Sequence, residues 1–326
     1  MRRLRGRTFI IGAVATLALA ACGSSDTGSS ASGGGLEKTT ISVGVLAIAD
    51  VAGLYIANQK GYFKEEGLTV KPEVLQSTQF AIPKLLSGGL DLALGNYFSI
   101  ISATEKTNDK FRFVSDTFQA KNDVFDIVVP KDSPIQSVKD LKGKKISIAS
   151  LNSIGELAVG STLRVAGLDP KADVTYMPMA FPQAPAALKA GQIDAAWLTE
   201  PFLTGVQKDM GARKIADTMT GAMADFPIAG WTATEDWTKK YPKTMAAFQR
   251  AILKGQQDAS ADRKAVEQAL PNYSPIKPEV ASVINLGAYP TSLSATRIQR
   301  VADLMFEYGY LSKKMDVTPL LVPLPQ

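Results

Sequence analysis

The segment LKAGQIDAAWLTEPF (Leu188 to Phe202) nearly repeats one about a hundred residues earlier, LLSGGLDLALGNYF (Leu85 to Phe98). Each reads as a helix end, a Gly, an Asp, a small apolar strand and then a polar or aromatic turn. The surroundings repeat as well. In the first half, TTISVGVLAI is a strand, and a helix from Ala52 to Lys60 stops at Gly61, where a left-handed cap needs no Cβ. GLTVKPEVL is the next strand, STQFAIPKLLSGG the next helix and LDLALG the third strand. In the second half GKKISIAS, SIGELAVGSTLRVAGL, DVTYMPM, PQAPAALKAG and IDAAWL follow in the same order. β-Branched, largely apolar strands alternating with helices indicate parallel sheets covered on both faces. The chain is therefore predicted to be α/β, built as two βαβαβ lobes. The competing reading is a single doubly wound sheet, which the matched order of five elements disfavours.

In open α/β sheets, ligands sit beyond the carboxyl ends of the strands. The third strands end in Asn96-Tyr97-Phe98 and Thr199-Glu200-Pro201-Phe202. With two lobes facing each other, both endings line one cleft. The repeated Asp91 and Asp194 stand at the strand entrances and are expected to be structural.

The N-terminus has a separate logic. Arg2, Arg3, Arg5 and Arg7 precede an apolar run from Phe9 to Ala21, the pattern of a secretory signal over residues 1–21. LAAC, ending at Cys22, resembles a bacterial lipobox, which implies lipid on the Cys22 thiol and cleavage just before it. Residues 22–35 are rich in Gly and Ser and read as a flexible tether. The full chain carries 36 Lys and Arg against 31 Asp and Glu; without the four leader arginines this becomes 32 against 31. The basic balance is thus a property of the leader, and no basic stripe points to nucleic acid.

Catalysis is restricted by what the chain lacks. It holds no His, and its one Cys is assigned to the anchor. Ser-His-Asp and Cys-His nucleophiles and His-based zinc sites are excluded. There is no phosphate loop and no dinucleotide fingerprint. These absences favour a binding protein over an enzyme, with no metal and no cofactor.

LYIANQKGYFKEEGLTV, LLSGGLDLAL, SVKDLKGKKISI, AGLDP, QAPAALKAGQIDAAWLTEPF and VADLMFEYGYL together resemble the solute-binding lipoproteins of ABC importers. The likeness is to the nitrate, aliphatic-sulfonate and taurine group, which also includes binders of a thiamine pyrimidine precursor. It covers essentially all of Leu36 to Leu311. It implies the type II periplasmic-binding-protein fold, with NDVFDIVVP (Asn122 to Pro130) crossing into the second lobe and DFPIAGWTAT (Asp225 to Thr234) returning. The first lobe would comprise residues 36–125 and 228–326, and the second 126–227. The C-terminal part is helical: Ile298, Val301, Ala302, Met305 and Tyr308 form a helical stripe, with Ser294 as N-cap. The resemblance further implies a monomer outside the cytoplasm, lipid-anchored to the cell membrane. Its partners would be a small solute and a permease with its ATPase on other chains. A pyrimidine or other heteroaromatic ligand, and a sensor lipoprotein without transport, are the alternatives.

Candidate ligand residues follow from the strand-end rule. Ala49 and Asp50 lie after the first strand, and Gln79 lies in the turn after the second. Asn96 and Tyr97 follow the third. In the second lobe Asn152 and Ser153 open a helix whose free N–H groups suit an oxygen acceptor. For Ser153 the plain alternative is an N-cap with Glu156 completing a capping box. Phe181 and Trp231 are candidates to cover an apolar part of the solute, with core packing as the alternative. Trp197, inside a strand, reads as packing. Glu200 would repel an oxyanion and suit an amine or a pyrimidine, or else it is a hinge residue. No Arg or Lys stands in these turns.

Overall fold

The computed structural model describes residues 35–108 and 110–325, so the leader, Cys22 and the tether through residue 34 lie outside the described residues. In the first half, β1 (Thr40–Val45), β2 (Thr69–Val74) and β3 (Leu92–Asn96) alternate with helices Ala52–Gln59 and Thr78–Ser87. β1 pairs in parallel with both β2 and β3. β4 (Phe111–Gln119) then leads to β5 (Phe125–Val129), which belongs to a second sheet with β6 (Lys144–Ile148), β7 (Val174–Pro178), β8 (Ala195–Thr199) and β9 (Arg213–Asp217). β10 (Pro227–Thr234) returns to the first sheet.

The two sheets share one plan. Their orders are β2-β1-β3-β10-β4 and β7-β6-β8-β5-β9, so in each the fourth position is taken by the strand that has just crossed over. β10 runs antiparallel between β3 and β4, and β5 antiparallel between β8 and β9. β5 and β8 are buried along their whole length, as expected for strands covered on both faces.

The duplicated segment now has a physical explanation. Gly88 and Gly191 both take positive φ, 75° and 66°, where a side chain would be strained. Each following Asp then clamps the start of the neighbouring strand. The Asp91 carboxylate accepts from Ser42 N at 2.8 Å while its own N–H donates to Ser42 O at 2.9 Å. Asp194 does the same with Lys145, at 2.8 and 2.9 Å. The acid thus sets register at the strand entrance, at the opposite end from the cleft.

Helices not anticipated from the sequence complete each lobe. Tyr97–Thr107 and Phe202–Met210 start directly at the two unlike endings of the repeat, and the 20-residue helix Pro242–Ala261 covers the first sheet. The stripe on helix Ala295–Glu307 is buried at Ile298, Val301, Ala302 and Met305, and Ser294 caps Arg297 N at 3.4 Å. The stripe does not close on Tyr308, whose ring instead lies under the Arg164 guanidinium, 4.0 Å from its centroid. Arg164 belongs to helix Ile154–Val165 of the second lobe, so the C-terminal helix ends as an inter-lobe contact.

Candidate functional site

The lobes meet at the carboxyl ends of their strands. Ala49 N donates to Glu200 O at 3.1 Å, and Tyr289 Oη donates to Ala49 O at 3.0 Å. Across the same seam, Gln79 Nε2 and Ser99 Oγ donate to Asn152 O at 2.9 and 3.0 Å. Asn152 has a φ of 51°, a left-handed turn that aims its carbonyl at the first lobe. The molecule is therefore in a closed state.

Closure leaves a cavity of about 40 Å³ lined from both lobes. Asp50, Ser77, Thr78 and Asn96 line it on one side, and Ser150, Ser153, Phe181 and Trp197 on the other. A water needs roughly 10–15 Å³ on this measure, so the enclosed space suits a head group of a few heavy atoms. A second cavity of about 140 Å³ adjoins it, sharing Leu46, Ile48 and Phe181, and is otherwise lined by apolar groups such as Leu75, Ala180 and Phe202.

The polar groups of the smaller cavity are unevenly satisfied. Asn96 is committed: Oδ1 accepts from Ser99 N at 2.8 Å, and Nδ2 donates to Thr78 Oγ1 at 3.1 Å. Asp50 is not. It lies in a short 3-10 turn after β1, is 2% exposed, and its Oδ1 has no hydrogen-bond partner. Burial pushes its carboxyl up to about 7. The buried Ser77 Oγ and Ser150 Oγ are likewise without partners. Among the described residues, no Lys or Arg lines this cavity.

The family described as NMT1-like matches residues 34–270. The chain belongs to that family. Among curated relatives it is 27% identical over 323 residues to a putative aliphatic sulfonates-binding protein of Bacillus subtilis (strain 168), covering 92% of this chain and 89% of that one. It is 26% identical over 242 residues to the nitrate/nitrite binding protein NrtA of Nostoc sp., covering 68% of this chain and about half (54%) of that relative. Among solved structures, the alkanesulfonate-binding protein SsuA of Xanthomonas axonopodis pv. citri, bound to MOPS, superposes with a TM-score of 0.74 at 20% identity, covering 88% of this chain and 99% of that chain. The fold is that of the periplasmic binding proteins.

In this NMT1-like chain the residues singled out from sequence fall into three groups. Asp50, Asn96, Ser153 and Phe181 line the cavity. Ala49, Gln79 and Asn152 close the lobes over it through the bonds described above. Tyr97 and Trp231 do neither with their side chains, and Glu200 stands off the cavity while its carboxylate accepts a bond from Asn285 N across the seam. Tyr97 turns into the first lobe, edge-on to Phe113 at 4.7 Å, because Asn96 caps the helix and carries the cleft-facing position. Trp231 sits on a strand with neighbours on both sides, and its indole packs edge-on against Phe248 at 5.9 Å. The Glu200 carboxylate is consumed locally. Oε1 accepts from Thr204 Oγ1 at 2.7 Å and from Asn285 N at 3.1 Å, while Oε2 accepts from Thr204 N at 3.1 Å. Burial still raises its pKa, opposed by those bonds and by Arg263. With its backbone carbonyl on Ala49 N, Glu200 joins the lobes and does not line the cavity.

The sequence reading missed Trp197, Ser77 and Ser150. Trp197 does pack, stacking on Phe125 at 5.1 Å with Nε1 donating to Thr218 Oγ1 at 3.0 Å, yet the indole also forms a cavity wall. Gly155 opens the approach of helix Ile154–Val165 to that indole: a Cβ there would stand 2.8 Å from two ring carbons. Ser77 belonged to the turn already flagged through Gln79, and Ser150 ends the strand motif GKKISIAS. The strand-end rule would have reached both. Nor does Glu156 complete a capping box on Ser153; its Oε2 accepts from Asn152 N at 2.8 Å and holds the left-handed turn.

One carboxylate cluster lies outside the cavity. Asp123, Asp126 and Asp217 bring ligand atoms within 4.8 Å of one another beside the crossover. Burial raises the Asp126 carboxyl, and Lys214, which forms an ion pair with Asp123, opposes that rise, so the cluster has a countercharge.

Proposed function

We propose that this chain is the extracytoplasmic solute-binding component of an ABC importer. It captures a small organic solute between two lobes, residues 36–125 with 228–326 and residues 126–227, and presents it to a permease whose ATPase is on other chains. The observation that carries this is the cavity at facing strand ends, closed by hydrogen bonds that join one lobe to the other: Ala49 N to Glu200 O, and Gln79 Nε2 and Ser99 Oγ to Asn152 O. Family membership and the nitrate- and sulfonate-binding relatives support it. Residues 1–21 act as the export signal, Cys22 as the lipid anchor and the following Gly/Ser run as the tether. Among the described residues no helix is long and apolar enough to cross a membrane. Asp50, Ser77, Ser150, Ser153, Phe181 and Trp197 contact the solute, while Gln79, Asn152 and Glu200 hold the closed state.

Closure is both the capture step and the signal, because solute binding shifts the equilibrium toward the form in which the lobes touch. The test is a pair of fluorophores on exposed positions of the two lobes, here Lys71 and Lys189 replaced by Cys. A bound solute is expected to raise transfer efficiency and melting temperature together. A solute that raises the melting temperature with no change in lobe distance refutes capture by closure. Export and anchoring are tested by labelled palmitate: incorporation that is lost in Cys22→Ser supports the anchor.

A further inference from the structure

We propose that the solute meets Asp50 with a hydrogen-bond-donating head, cationic or amidine-like, and carries a short apolar body. This rests on the capture reading above and departs from what the names of its relatives suggest. Three buried oxygens line the small cavity without partners: Asp50 Oδ1, Ser77 Oγ and Ser150 Oγ. A carboxylate accepts only, and each hydroxyl can accept while donating elsewhere. Together they form a set that an N–H-bearing group satisfies. An amidine or protonated amine can give a charge-assisted bond to Asp50 and its remaining N–H bonds to the serines.

An oxyanion faces the opposite situation. No Lys or Arg, among the described residues, lines the cavity, and burying a charge without a partner is unfavourable. The one acid on the wall would repel it. The helix starting at Ile154 commits Glu156 N and Leu157 N to Ser153 O, and Asn152 N is held by Glu156, so an anion there would rely on the first helical N–H groups alone with no positive side chain beside them. Size agrees with a divided ligand: about 40 Å³ for the head and about 140 Å³ of mostly apolar space beside it for the body.

The test is calorimetric titration of the full chain and of Asp50→Asn with butylamine, butyramidine and 4-aminopyrimidine, against nitrate and butanesulfonate. Asn keeps the shape and one acceptor, adds a donor and removes the charge, so the two head chemistries respond in opposite directions. The expected result is binding of at least one nitrogen probe, weakened tenfold or more in Asp50→Asn, and none of the anions. Binding of nitrate or butanesulfonate that is kept or tightened in Asp50→Asn overturns the head-group assignment and leaves the capture reading standing. A chain that binds neither class, while the lobe-distance assay shows no closure with any of them, counts against both.

Discussion

Asp50 also makes a prediction that needs no ligand. Its carboxyl is pushed from the ordinary 3.8 to about 7 by burial, opposed only by its own backbone N–H. A carboxyl whose pKa is raised holds more protons in the folded chain than in the unfolded one between the two values. Stability is therefore greatest below the lower value, falls as pH rises through the window, and is flat again above about 7. Full ionisation costs about 4 kcal/mol, taking roughly 1.4 kcal/mol for each unit between 3.8 and about 7. Between pH 5 and pH 8 the same linkage gives a loss of about 3 kcal/mol from this one side chain. The neighbours do not reverse the sign: Tyr273 and Tyr289, whose hydroxyls feel the Asp50 charge, are themselves pushed well above their usual range and stay neutral.

Urea unfolding of the wild-type chain and of Asp50→Asn across that pH range measures it. Asp126 is also raised to about 7 by burial, with Lys214 opposing, so the wild-type slope contains more than one contribution. The difference between the two curves isolates Asp50. Asp50→Asn is expected to lose about 3 kcal/mol less than wild type between pH 5 and pH 8. Two parallel curves would show that Asp50 is solvated or paired in the native state, and the reasoning about the cavity wall would fail with it.

Removing the seam donors in Gln79→Ala with Ser99→Ala takes away two bonds to the Asn152 carbonyl, worth about 1 kcal/mol each. Apparent solute affinity should weaken by up to about thirty-fold while the unfolding midpoint of each lobe hardly moves; a matching loss of global stability would place these bonds in folding and not in closure. Gly155→Ala drives a Cβ to within 2.8 Å of the Trp197 ring, so a destabilisation of about 1–3 kcal/mol and a shifted tryptophan emission are expected in thermal melts and fluorescence. The repeated acids should differ in weight. Asp91→Ala strips partners from Lys38 Nζ, Ser42 N and Trp237 Nε1, about 3 kcal/mol, whereas Asp194→Ala frees the N–H of the exposed Lys145 for about 1 kcal/mol. Equal effects in chemical denaturation would contradict that ranking.

What was legible before the structure was everything local. A Gly that must take positive φ, an Asp three residues on, and an apolar strand constrain one another within a few residues, so the duplicated βαβαβ plan is written in the chain itself. The endings were not legible in that way, because their roles depend on what the opposite lobe brings. Asp50 and Glu200 make the point. Both are acids just after a strand, both are buried, and both stand as candidate ligand residues in the sequence, Glu200 with an amine or a pyrimidine in view. Their fates part on one detail: the chain after Glu200 turns directly into helix Phe202–Met210, so Thr204 offers its N–H and hydroxyl back to the carboxylate, and Asn285 adds a third donor from 85 residues away. Asp50 leads into a turn whose first bonds are all taken by backbone carbonyls, which leaves its carboxylate facing the cavity. A satisfied acid can only hold lobes together; an unsatisfied one has something to recognise. On the function proposed above, that difference separates a lobe-joining acid from a recognising one, and only the last of these bonds, from Asn285 N to Glu200 Oε1, depends on the two lobes meeting.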